Sequence, residues 1–172
     1  MIKTIKENNE VLYSKDGFIH LDSKELNDLK ELAMLNPSSK IRLCTHLSPK
    51  DVIHEMIIYH PKGTYVHPHK HLGRAESFYL ISGAIDCIIF DDIGNIEKNF
   101  SMGDFSSGKI FYYRMPSNTY HTQLFKKDTF FHEVTMGPFT NTDTIKAEWA
   151  PREDDATKVK SYINNINNLI KL

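Results

Sequence analysis

The sequence predicts a mainly β protein: a barrel or sandwich of short strands with one helix before it and one after. Three observations lead there. Between Ile41 and Met136 the chain is rich in Ile, Val, Phe, Tyr and Thr, residues that suit a pleated, half-buried surface. Gly, Pro, Asn and Asp cut that stretch at short intervals, as in all-β barrels and sandwiches. On either side, apolar residues recur instead at helical spacing. A length of 172 residues suits a single domain. Its expected parts are an N-terminal helical arm over 1–40, a barrel over 41–140, and a C-terminal loop and helix over 141–172.

The first element is a helix over 21–36. Asp22 is placed to cap it, and Glu25 stands three residues on, as a capping box requires. Leu26, Leu29, Leu32 and Ala33 share a face, and Asn36-Pro37 ends the helix. Strands are expected over Val52–Tyr59, Ser77–Ile81, Ala84–Phe90, Ile96–Phe100, Ile110–Met115, Thr122–Phe125 and Phe130–Thr135. The turns between them include Pro61-Lys62-Gly63, Ser82-Gly83, Asp91 to Asn95, Pro116-Ser117-Asn118 and Lys126 to Asp128. The stretch 137–157 reads as irregular and polar, with Phe139 and Trp149 laid against the barrel. A helix over 158–171 closes the chain with Val159, Tyr162, Ile163, Ile166, Leu169 and Ile170 on one face. That face packs on its own barrel or on a second copy of the chain, which leaves a homodimer open.

Composition narrows the function. Lys plus Arg number 21 and Asp plus Glu 22, for a net charge of −1. No basic stripe marks a nucleic-acid surface. No apolar run approaches the roughly 20 residues of a membrane-spanning helix. Met1 to Glu10 lacks the apolar core of a signal peptide, and Cys44 and Cys87 form no disulfide framework or Cys-x-x-Cys pair. These features predict a cytoplasmic protein that binds neither nucleic acid nor membrane.

The informative feature is histidine. The chain has nine, six of them between His46 and His71. On a strand, alternate side chains share a face, so His67, His69 and His71 are expected to project the same way. Pro68 interrupts the ladder at His67. Two neighbouring imidazoles can meet on one metal ion, and Glu76, on or near the next strand, can add an oxygen. Imidazole plus carboxylate suits one divalent transition ion, Zn, Fe, Ni, Co or Mn, and leaves positions open for water or substrate. Imidazoles stacked on one face for packing alone would cost stability. A further ligand must come from far along the chain: His121, after the turn at Pro116–Asn118, or His132, beside Glu133.

Gly63, His69-x-His71, Glu76 and Gly83, at their spacings, match the first cupin motif at every fixed position. Pro116-Ser-Asn118-Thr-Tyr-His121 resembles the second, with Asn in place of the usual Gly and Phe125 in place of the final Asn. The resemblance implies a single cupin domain, a double-stranded β-helix or jelly-roll barrel, with the metal in its mouth on His69, His71, Glu76 and His121. Over roughly residues 22–153 the chain also resembles WbuC-type cupin fold metalloproteins. The matching residues include Arg42-x-Cys44-x-His46, His54-Glu55-Met56, Phe90-Asp91-Asp92-x-Gly94, Phe111-Tyr112-Tyr113-Arg114-x-Pro116, His132-Glu133-Val134-Thr135-x-Gly137-Pro138-Phe139 and Trp149-Ala150-Pro151. That resemblance implies a setting in surface-polysaccharide (O-antigen) biosynthesis.

Around the metal, Arg42 and Arg114 can hold a carboxylate or sugar phosphate in bidentate fashion. His46 and His67 are candidate acid–base groups or partners of the ligands, and Glu133 is a candidate general base. Tyr65 and Tyr120 can stack on a sugar. Cys44 alternates with Arg42 and His46, and as a small residue is expected to be buried. The expected ligand is a small, sugar-like molecule, and the expected chemistry that of an isomerase, epimerase or hydrolase with the metal as Lewis acid. The alternatives are an Fe(II) oxygenase and a non-catalytic carbohydrate-binding cupin.

Overall fold

The structure, a computed structural model, describes residues 2–138, 140 and 142–170. In chain order the strands are β1 (Thr4–Lys6), β2 (Val11–Ser14), β3 (Ile41–Cys44), β4 (Ile53–His60), β5 (His69–His71), β6 (Glu76–Ser82), β7 (Ala84–Phe90), β8 (Ile96–Gly103), β9 (Tyr112–Met115), β10 (Tyr120–Phe125), β11 (Thr129–Met136) and β12 (Thr144–Lys146). Helix α1 (Ser23–Met34) falls between β2 and β3, and α2 (Ala156–Leu169) follows β12. One sheet runs β1-β2-β3-β4-β11-β6-β9, the other β12-β5-β10-β7-β8. Neighbours are antiparallel except β2 and β3.

Side-chain alternation sorts the residues into layers. Inward-facing Met56, Ile58, Phe78, Leu80, Ile85, Cys87, Met102, Phe125 and Phe131 fill the space between the sheets. The intervening residues Ile41, Leu43, Ile57, Tyr59 and Phe130 face outward and meet Leu29 and Ala33 of α1. Asp22 caps that helix through the amides of Lys24 and Glu25, and Glu25 answers the Asp22 amide, completing the capping box. On the far sheet, Ile88, Phe90 and Leu124 receive Ile166 of α2. The C-terminal helix thus packs on its own barrel. Trp149 lies against Phe90 and Tyr120, with ring centroids 5.0 and 5.7 Å apart; Phe139 lies outside the described residues.

Two turns explain motif residues. Gly83 joins β6 to β7 at φ +109°, and a Cβ there would stand 2.5 Å from the Asp128 carbonyl oxygen, so only glycine fits. Asn118, in the usual place of a glycine, has φ +63°. Asn is one of the few other residues that tolerate that region, and the Asn118 amide donates to the His71 carbonyl at 2.8 Å. The turn that delivers His121 is thereby tied to the strand carrying His71.

The strands are not confined to 41–136. β1 and β2 lie in what the sequence suggests is a helical arm, and β12 lies in the stretch expected to be irregular. Each spans only three or four residues, too few for alternation to show against polar neighbours. What makes them strands is a partner: β2 pairs with β3, and β12 with β5. The expected strand Ile110–Met115 begins instead at Tyr112. Among the described residues, no helix is long and apolar enough to cross a membrane.

Candidate metal centre

β5 presents His69 and His71 on one face, and β10 sets His121 opposite His69 in register. One ligand atom from each of the three histidines lies within 4.8 Å of the others. Glu76 opens β6 beside them. Its Oε1 is 3.3 Å from His121 Nε2 and its Oε2 3.4 Å from His71 Nε2. Two donor atoms each about 2.1 Å from one ion, at tetrahedral to octahedral angles, stand about 3.0–3.4 Å apart. The spacing therefore fits a shared metal ion.

The other face of each ring supports that reading. His69 Nδ1–H donates to the His67 carbonyl at 2.8 Å, and His121 Nδ1–H to the Thr119 carbonyl at 3.0 Å. A carbonyl only accepts, so these bonds place the proton on Nδ1 and leave the Nε2 lone pair for a metal. His71 Nδ1 meets Thr144 Oγ1 of β12 at 3.0 Å. A relay holds Glu76 from behind: Gln123 Nε2–H donates to Tyr113 Oη at 3.0 Å, and Tyr113 O–H donates to Glu76 Oε1 at 3.1 Å. Motif and spacing alone assign no role at the site to Thr144, Tyr113 or Gln123. Gln123 stands two residues beyond His121, so strand alternation alone could have found it.

Burial and charge act together. Burial, then the neighbouring His121, holds His69 down to about 3. Burial would raise Glu76, but the imidazoles of His121 and His71 hold it well below the usual carboxylate range. Burial works against charge on His121, and Glu76 outweighs it, lifting that histidine. Glu133, on the inner face of β11, is raised by burial and by Glu76, with Arg42 opposing.

His69 and His71 open onto a cavity of about 400 Å³. The first sheet is wider than the second, so the inner faces of β2 and β3 form an overhanging wall. Arg42, His46, Tyr65, His67 and Glu133 line this cavity together with His69 and His71. Their engagements differ. His67 precedes β5, is buried, and its Nε2 meets the Ala147 carbonyl at 2.8 Å, so it does not join the three-histidine group. His46 is stacked on His54 at 4.1 Å with Nδ1 at the Glu55 backbone. Tyr65 donates its O–H to the Pro151 carbonyl at 2.8 Å. Cys44 is buried in the same wall, and burial pushes its thiol up to about 11.

Three expected site residues stand elsewhere. Arg114 alternates with buried Tyr113 and Met115 on β9, so it faces outward and is exposed. Its neighbours' register decides this, not its charge. His132 faces outward on β11, with Nε2 4.0 Å from Glu55. Tyr120 lies on the outer face of β10 beneath Lys70, whose Nζ is 4.3 Å from the ring centroid.

A single jelly-roll barrel with inward-facing histidines defines a cupin fold, and comparison with known proteins agrees. A family model described as a domain of unknown function (DUF6016) matches residues 21–102, a span that contains His69, His71 and Glu76 and ends before His121. No curated protein matches the chain. Among solved structures, the Shewanella oneidensis protein SO0799 is 15% identical with a TM-score of 0.52, over 70% of this chain and 82% of that one. Bacillus subtilis oxalate decarboxylase is 19% identical with a TM-score of 0.50, over 74% of this chain and 32% of that one. CapF, solved with the inhibitor 3-isopropenyl-tropolone, is 15% identical with a TM-score of 0.50, over 63% and 31%. The chain spans about a third of the last two, and the likeness is one of fold. This chain is a cupin-fold protein.

Proposed function

We propose that the chain is a metal-dependent cupin of WbuC type that acts on a saccharide or nucleotide-activated sugar in surface-polysaccharide biosynthesis. The observation that carries the metal is the convergence of Glu76 with the Nε2 atoms of His71 and His121, beside His69. His69, His71, Glu76 and His121 would hold the ion, which would supply a Lewis acid at the cavity floor. The chain's own residues do the rest. Arg42 offers a guanidinium to an anionic part of the ligand. Tyr65 and His46 line its path. Glu133, whose carboxyl is raised above the usual carboxylate range by burial and then by Glu76, holds and returns a proton. The two cysteines are free and buried, which suits the reducing cytoplasm.

The sugar is supported by sequence resemblance and by the Arg42, His46, Tyr65 and Glu133 side chains in the cavity wall. A calorimetric screen of sugars, sugar phosphates and sugar nucleotides against metal-loaded and metal-free protein tests it. Binding that needs the metal is the expected result, with Glu133→Gln lowering turnover by about 100-fold at little cost in binding. Equal binding without metal removes the ion from the mechanism. Silence across the panel, with oxygen uptake on a non-sugar substrate, overturns the sugar reading in favour of an oxygenase.

A further inference from the structure

Farther along β3 and β4 from the histidines, the cavity carries a second polar group. Arg42 faces inward from β3, opposite Ile58. Lys40 stands just before β3 and, by the same register, in line with His60 at the end of β4. Lys40, Arg42 and His60 line both the main cavity and a smaller one of about 140 Å³.

None of the three is fully engaged. Arg42 is exposed and, among the described residues, makes no ion pair or side-chain hydrogen bond. Lys40 reaches Glu10 only at 3.9 Å. The His60 ring is wedged between Phe125 and Phe131, with centroids 4.8 and 5.4 Å away. Its Nδ1 is buried without a hydrogen-bond partner. Placing a polar ring between two phenyl rings beside two cations has no packing rationale, since an apolar side chain would avoid the unmet hydrogen bond. The His60 ring stays neutral, because burial and then the charges of Lys40 and Arg42 hold it down to about 3.

We infer that Arg42, Lys40 and His60 form an oxyanion seat for a phosphoryl group on the ligand. The guanidinium fork, the ammonium and a neutral imidazole N–H supply donors from three elements of geometry, which suit a group with three or more oxygens better than a planar carboxylate. Two cations beside one neutral donor match a phosphate dianion in charge. The rung of Glu76 runs through Thr135 to His54, whereas Arg42 and Lys40 align with Ile58 and His60. At about 3.3 Å per residue the seat is about 13–20 Å along β4 from the metal rung. A ligand that engages both ends is therefore an extended, phosphorylated one, such as a sugar on a diphosphate carrier, and not a free monosaccharide. This deepens the saccharide reading and rests on it for the ligand's other end; the seat itself stands without the metal.

The test titrates the full-length protein, as purified and after metal removal, with inorganic phosphate, a sugar 1-phosphate and a nucleotide-diphosphate sugar, followed by 31P NMR and calorimetry. Arg42→Ala and Lys40→Ala, both near the surface, are compared with Arg114→Ala and His69→Ala. The seat predicts phosphate binding that survives metal removal and His69→Ala, is unchanged by Arg114→Ala, and weakens about tenfold or more in Arg42→Ala, with a further loss on adding Lys40→Ala. Phosphate lost on metal removal but kept in Arg42→Ala lies on the metal and overturns the seat. No phosphate binding by any form also overturns it. Metal content measured on the same samples keeps failure of the seat distinct from failure of the metal reading. If phosphate binds the seat but the diphosphate sugar binds no tighter, the extended ligand is refuted.

Discussion

Tyr113→Phe removes one oxygen from the relay behind Glu76. The ring itself is well supported, stacked on Phe78 with centroids 5.1 Å apart, so the phenyl should stay in place. Two hydrogen bonds go: the 3.1 Å bond to Glu76 Oε1 and the 3.0 Å bond from Gln123 Nε2. Gln123 is only 7% exposed, so its N–H is left buried without an acceptor. An unsatisfied buried donor costs about 1–3 kcal/mol. For a domain of this size that lowers Tm by roughly 2–12 °C. Glu76 keeps its contacts with His71 and His121 but loses the donor that fixes its rotamer, and losses of that kind lower metal affinity by about 10–100-fold. Calorimetric melting and competition against a chromogenic chelator read the two effects separately. Adding Gln123→Leu removes the orphaned donor as well, so the double variant should recover stability and not metal affinity. Wild-type affinity in Tyr113→Phe, or recovery of affinity in the double variant, would refute the relay.

Replacing His69, His71 or His121 by Ala should abolish stoichiometric metal, measured by elemental analysis, while His132→Ala, on the outer face, should leave it intact. Metal affinity should fall below about pH 6, because imidazole binds only when neutral and its ordinary pKa is about 6.5; a chelator titration against pH checks this. His60, held near 3 by burial, takes up a proton on unfolding at any pH between that value and about 6.5. Stability should be full above about pH 6.5 and fall as pH drops towards 3, by up to about 1.4 kcal/mol per pH unit from this group. His60→Gln should flatten denaturant-derived stability against pH by about one proton. Asp22→Ala removes the α1 cap and should cost about 1 kcal/mol in urea unfolding.

Much of this protein is local information, and local information is legible in sequence. The capping box at Asp22 and Glu25 needs only neighbours three residues apart, and the structure contains it. Strand Ala84–Phe90 has the expected bounds because an apolar run dominated by Ile85, Ile88, Ile89 and Phe90 between two turn signals leaves little alternative. His69 and His71 share a face because a strand repeats every two residues. Tertiary structure decided whatever depends on a partner distant in the chain. β12 is a strand because β5 is there to pair with it, and through it Thr144 reaches His71. His121 and His132 could not be ranked by alternation, since each strand's phase relative to the barrel is set by register: β10 turns His121 inward opposite His69, and β11 turns His132 out. The same phase puts Arg114 on the surface and Tyr113 behind Glu76. Residue types announce that a metal site can form; only the pairing of the strands determines which side chains meet there.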